Sequence, residues 1–151
     1  MKKPNLAKQL TALLFTIIIT SVSFAEIIPV SNGNSSKYLP ASEKSMSGDN
    51  QDGILICWLD EANNGSLFVQ KIDKNGKHVW DGNGLMVEQD LGSGFTASAD
   101  YPSIYSDNEG GALIIYRKVL PEADEIYCSK VSSDGSIHDA VCLSSFYDGS
   151  N

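Results

Sequence analysis

The chain contains one pattern twice. Gly48 to Trp58 aligns with Ser106 to Tyr116 at a constant offset of 58. Asp49 falls on Asp107, Asn50 on Asn108, Gly53 on Gly111, Leu55 on Leu113, Ile56 on Ile114 and Trp58 on Tyr116. Leu67 to Gly76 then aligns with Ile126 to Gly135 at an offset of 59, so one residue has entered between the blocks, at 61–65 against 119–124. A fixed internal period restricts a chain to architectures in which one small unit recurs and stacks on its neighbour. A connecting loop is where such a unit tolerates an extra residue.

Each unit reads as strands. Gly53 to Leu59 is a short apolar and β-favouring run, too short for an ordinary helix. A strand apolar on both faces belongs in the middle of a sheet with layers above and below. Asn63-Asn64-Gly65 turns the chain, and Leu67 to Ile72 alternates more loosely. Asn75-Gly76 accepts the positive φ of a tight hairpin. His78 to Trp80 and Leu85 to Val87 are further extended pieces around Asp81-Gly82-Asn83-Gly84. In the second unit Tyr101 to Tyr105, Ala112 to Arg117, Glu125 to Val131 and Ile137 to Leu143 are the expected strands, with Asp134-Gly135 as a turn. No sustained helical period follows residue 25.

About four short strands joined by hairpins, recurring at just under 60 residues, is the pattern of a β-propeller blade. The expected fold class is all-β, with two four-stranded antiparallel propeller-like blades after an N-terminal signal helix. The division is a signal peptide at 1–25, a linker or first outer strand at 26–45, a first repeat at 46–100, and a second repeat with the start of a possible third at 101–151. The chain resembles secreted bacterial tandem-blade proteins, on Asp49, Gly53, Trp58, Asp60, Gln70 and Ile72. The same likeness continues through Asp73, Asn75-Gly76, Trp80, Asn83-Gly84 and Val87. The second unit keeps Asp107, Gly110-Gly111, Tyr116 and Asp134-Gly135, but Lys118 replaces the Asp after the aromatic and no Trp follows Gly135. The resemblance spans about residues 46–143 and implies an architecture, since such blades are scaffolds whose function varies.

The first segment reads as an address. Lys2, Lys3 and Lys8 precede an apolar run from Leu10 to Thr20, and Ser23-Phe24-Ala25 offers small residues for cleavage. The run is shorter than the roughly 20 residues of a spanning helix. No Cys follows at once, which argues against a lipid anchor, so no stable membrane anchor is expected after cleavage. Removing 1–25 takes away three of the 11 basic residues and none of the 19 acidic ones, and the remaining 126 residues carry −11. That charge repels nucleic acids and anionic membranes. A secreted or periplasmic location is expected, with no nucleic-acid partner.

Export permits disulfides, but Cys57, Cys128 and Cys142 are odd in number. Cys57 lies in an apolar run and reads as a buried free thiol. A two-residue turn at Asp134-Gly135 sets Cys128 opposite Val141, whereas a three-residue loop sets it opposite Cys142. The reading leans towards the second, with the two cysteines close.

The remaining candidates also fit plainer roles. Asp49-Asn50-Gln51-Asp52 and Asp107-Asn108-Glu109 have calcium-type oxygens, yet Asp, Asn and Gly are also what turns require. Asp73-Lys74-Asn75-Gly76 opens like a calcium loop, but Lys77 stands at a ligand position. His78 and His138 have no carboxylate or thiolate at metal-ligand spacing. No Gly-x-Ser-x-Gly elbow organises a nucleophile. Trp58, Trp80, Tyr101, Tyr105 and Tyr116 could stack on a sugar; Trp58 and Tyr116 read as core. No catalytic residue, metal ligand or cofactor is therefore assigned, and the ligand is left unknown.

The expected function is an exported, non-enzymatic β-repeat scaffold or binding module. The alternative is part of a propeller-type extracellular carbohydrate-active hydrolase or lyase, which would need further blades to build a funnel of Asp, Glu, Tyr or Arg. Propellers close with roughly four to eight blades. Two blades thus point to an incomplete ring: a truncated gene, the first part of a longer protein, or a protomer that needs others. Truncation is the favoured reading.

Overall fold

The computed structural model describes residues 29–31, 37–38, 44–60, 65–91 and 102–146. The signal helix expected at 1–25 lies outside the described residues, as do Tyr101 and the turn residues Asn63 and Asn64. The described residues are all-β and hold no helix. They form two antiparallel sheets. The first contains β1 (Lys37–Tyr38), β2 (Met46–Gly48), β3 (Ile54–Asp60), β4 (Ser66–Ile72) and β5 (Leu85–Glu88). β1 and β2 lie end to end on one flank of β3, so the sheet is four positions wide. The second contains β6 (Ser103–Ser106), β7 (Ala112–Val119), β8 (Asp124–Val131) and β9 (Val141–Phe146), in that order.

Matched sequence positions occupy matched places. Trp58 pairs with Phe68 across β3 and β4, and Tyr116 with Tyr127 across β7 and β8. Both pairs stack, with ring centroids 5.8 and 5.9 Å apart. A register shift falls between Leu67 and Phe68 in one sheet and between Ile126 and Tyr127 in the other. A bulge at that point bends the outer strand along its partner.

Alternation along each strand gives each sheet two different faces. Leu55, Cys57, Leu59, Leu67 and Val69 form one face of the first sheet. It packs on Ile104, Ala112, Ile114, Tyr116 and Val131 of the second. The second sheet's contact residues match Met46, Ile54, Ile56, Trp58 and Ile72, which belong to the other face of the first. The stack is therefore front to back. Burying one Leu- or Ile-sized side chain contributes about 2 kcal/mol, so this shared layer is the main source of cohesion. The opposite face of the first sheet holds a smaller cluster of Ile56, Trp58 and Ile72, with Val30 and Phe68 against it.

The strand ends differ from the sequence expectations in two places. His78 to Trp80 is not a strand; only His78 bridges, to Ile72. Ile137 to Leu143 is divided. Ile137 bridges Val131, residues 138–140 leave the ladder, and β9 starts at Val141. In both sheets a loop closes on itself after β4 or β8: the Asp73 amide bonds to the Lys77 carbonyl, and the Ser132 amide to the Ser136 carbonyl, each at 2.9 Å. The closing residues enclose three, 74–76 and 133–135, so the second loop lies one residue before the three-residue loop at 134–136 that the Asp-Gly signal allows.

The register corrects the cysteine reading. Cys128 pairs with Val141, and Cys142 with Tyr127. Adjacent positions on a strand point to opposite faces, so Cys128 and Cys142 lie on opposite sides of the sheet. All three cysteines are free.

Candidate functional site

The densest polar arrangement lies where the β2–β3 and β6–β7 hairpins meet. Each hairpin is organised by its aspartate. Asp49 Oδ1 accepts the amides of Gln51 and Gly53 at 2.8 and 2.7 Å; Asp107 Oδ1 accepts those of Glu109 and Gly111, both at 2.8 Å. These are Asx-type turns, in which the side chain replaces a backbone acceptor. Asn50 and Asn108 have φ of 60° and 64°, which Asn tolerates better than most residues. Gly53 and Gly111 are required by space. A Cβ on Gly53 would meet the Ile72 carbonyl at 2.6 Å, and one on Gly111 the Val131 carbonyl at 2.3 Å.

The free oxygen of each aspartate takes a lysine from the next strand but one. Lys71 Nζ lies 3.1 Å from Asp49 Oδ2, and Lys130 Nζ lies 3.3 Å from Asp107 Oδ2. Burial would raise the Asp49 carboxyl, but the Gln51 and Gly53 amides and the Lys71 ammonium outweigh it and hold it below the ordinary aspartate value. The same balance lowers Asp107, through the Glu109 and Gly111 amides and Lys130. These carboxylates are thus committed to turns and ion pairs. As candidate calcium ligands they face inward onto their own amides, whereas Gln51, Asp52 and Glu109 are exposed.

Polar contacts also join the two sheets here. Lys71 Nζ donates to the Gly110 carbonyl at 2.7 Å, Ser106 Oγ to the Asp49 carbonyl at 3.3 Å, and Asn50 Nδ2 to Asn108 Oδ1. At the other side of the layer Trp80 Nε1 donates to the Ser133 carbonyl at 3.2 Å. Tyr116 OH, buried, donates to Glu88 Oε2 at 3.4 Å and shares a hydrogen bond with Ser129 at 3.3 Å. Burial, and then the negative charge of Glu88, raise the Tyr116 hydroxyl above the ordinary tyrosine value, with Ser129 opposing.

The other candidates are dispersed. Asp73 accepts the Asn75 and Lys77 amides at 2.8 and 2.9 Å, which makes it another turn aspartate. His78 Nε2 lies 2.6 Å from the Pro29 carbonyl, and His138 Nε2 lies 2.7 Å from Ser132 Oγ. Trp58 and Trp80 are buried in different clusters, Tyr116 in the shared layer, and Tyr105 is exposed beneath the Lys44 ammonium at 5.8 Å. They do not make one platform. Cys57 is buried, and burial pushes its thiol up to about 12. Among the described residues, no three His, Cys, Asp or Glu side chains converge in a metal-binding group.

The Lys71–Gly110 contact was not legible in the sequence, although its ingredients were. Lys71 and Lys130 align at the same offset as the rest of the block, which marks them as a pair. No family model matches the sequence, and no curated protein or solved structure matches it either.

Proposed function

We propose that this chain is an exported, non-enzymatic scaffold or binding module built from propeller-type repeats. The observation that carries the reading is the front-to-back stacking of two sheets with matched strands, hairpins and Asp–Lys pairs. Unlike faces that fit one another make a stack that propagates, whereas like faces make one that closes on a single pair. The polar groups at the hairpins support this reading too, since they are spent on holding turns and joining sheets.

The reading has two separable parts, each with a test. Export is checked by producing the full sequence in a secreting bacterial host and sequencing the N-terminus of the product. A mature start at Glu26 outside the cytoplasm is expected; an unprocessed cytoplasmic chain overturns it. The non-enzymatic role is checked by incubating the purified protein with a panel of polysaccharides and aryl glycosides. No turnover is expected. Turnover abolished by replacing a single carboxylate would establish the hydrolase or lyase alternative.

A further inference from the structure

The two sheets share one layer, and the second sheet still carries a copy of the face that the first has used. On the first sheet Leu55, Cys57, Val69 and Lys71 form the covered face. Their matches on the second are Leu113, Ile115, Cys128 and Lys130. At the outer strand Val141 and Leu143 match Leu85 and Val87, which pack into the shared layer. No described sheet covers this second face: Val141 and Leu143 are 61% and 56% exposed.

The lysines register the difference in polar chemistry. Lys71 is 6% exposed and, besides Gln51 of its own hairpin at 3.2 Å, reaches a carbonyl of the following sheet, Gly110, at 2.7 Å. Lys130 is 39% exposed and turns back to Glu109 of its own hairpin at 3.0 Å. The apolar area and the ammonium are thus both in place for a sheet that presents small and branched residues and a glycine carbonyl.

We propose that this face of the second sheet seats a third sheet of the same pattern, joined in chain order as the second is joined to the first. The inference rests on the scaffold reading above and names the partner of its open face. The opposite end of the stack decides where that sheet comes from. A second copy of the chain stacked front to back, as the two sheets are, would have to offer its first sheet's free face, and there Val30 already packs on Ile56, Trp58 and Ile72. Pro29 and Ser31 tie that segment to His78 and Asn83. The charge of −11 on the exported part of each copy also opposes self-association.

The test appends a second copy of residues 89–146 after Asn151 of the full chain. One unfolding transition is expected, with a urea m-value about 1.5-fold that of the parent, because m scales with the surface that unfolding exposes. Lys130 becomes protected from acetylation, while its counterpart in the appended copy, which carries the new open face, stays reactive. Leu143→Asp should abolish these gains in the extended chain while leaving the parent's midpoint in place, since Leu143 is 56% exposed there on the outer strand. An appended segment that melts separately, with Lys130 acetylation unchanged, overturns the proposal. So does a parent chain that protects Lys130 by concentration-dependent self-assembly, which would make a second copy the occupant. Neither result involves turnover, so failure here leaves the non-enzymatic reading standing, and turnover leaves the docking result standing.

Discussion

Lys71 and Lys130 occupy the same position in two sheets and live in different surroundings. Each follows a polar residue on the strand after the aspartate hairpin, and each reaches the second oxygen of that aspartate. Lys71 is covered by the next sheet and bonds to its Gly110 carbonyl. Lys130 stays at the surface and takes a second carboxylate, Glu109. The hairpin is therefore a local device that forms with or without a neighbour. Its energetic weight depends on whether a neighbouring sheet removes the solvent, because screening by water reduces an exposed pair to little.

Trp80 gives the sharpest contrast. It is buried in the shared layer, donates to Ser133, and lies against Gly135. Its match, Asp139, is exposed. Trp80→Ala should cost about 3–5 kcal/mol in urea unfolding, the range for truncating a buried aromatic. Asp139→Ala should leave the midpoint unchanged. A small loss from Trp80→Ala would mean that the two sheets do not depend on the layer they share.

Lys71→Ala comes next. It strands a carboxylate that is 2% exposed and should cost about 3 kcal/mol, as breaking a buried pair does. Lys130→Ala should barely move the midpoint. Raising salt to about 0.5 M should weaken the contribution of Lys130 and spare that of Lys71, because screening acts on exposed charges. Equal effects of the two variants would erase the comparison.

Gly53→Ala and Gly111→Ala test the opposite expectation, that the hairpins are alike. Each added methyl would meet a facing carbonyl and the turn aspartate. Both should lose about 2 kcal/mol, the usual scale of overpacking. A large difference between them would show that the neighbouring sheet shapes the turn as well.

Acid should act through the two turn aspartates with the smallest of these effects. Both carboxyls are held below their ordinary value in the folded chain. A lowered folded pKa contributes stability that is complete above the unfolded value of about 4 and is lost as pH falls through the folded one. Asp49→Asn should flatten the acid limb of a stability–pH curve more than Asp107→Asn, since its ammonium partner is shielded. An acid limb unchanged in both variants would remove these aspartates from the account.

Much of the fold was legible because the determinants are local. The apolar run from Ile54 to Leu59 announced a central strand, and Asp49 and Gly53 announced a tight hairpin. The offsets of 58 and 59 put Trp58 and Tyr116 in corresponding places, and both are buried. The cysteine register was misread because two features set it: the loop closed by Val131 and Ile137 would place Cys128 opposite Ala140, and the excursion of residues 138–140 moves its partner on to Val141. The candidate aromatics scattered because strand alternation and the faces of two sheets decide which rings meet, and neither is visible in spacing alone.

What the sequence determined by itself is the unit: which residues form strands, where hairpins turn, and that the unit occurs twice. Period-two alternation and turn chemistry act over a few residues, so they can be read in one dimension. What only the tertiary structure decided is the order of the faces. Front-to-back stacking buries Lys71 and Trp80, and it leaves Lys130 and Asp139 in solvent. Residues that match in sequence then differ in energy, because burial is a property of what lies opposite and not of the residue or its neighbours in the chain.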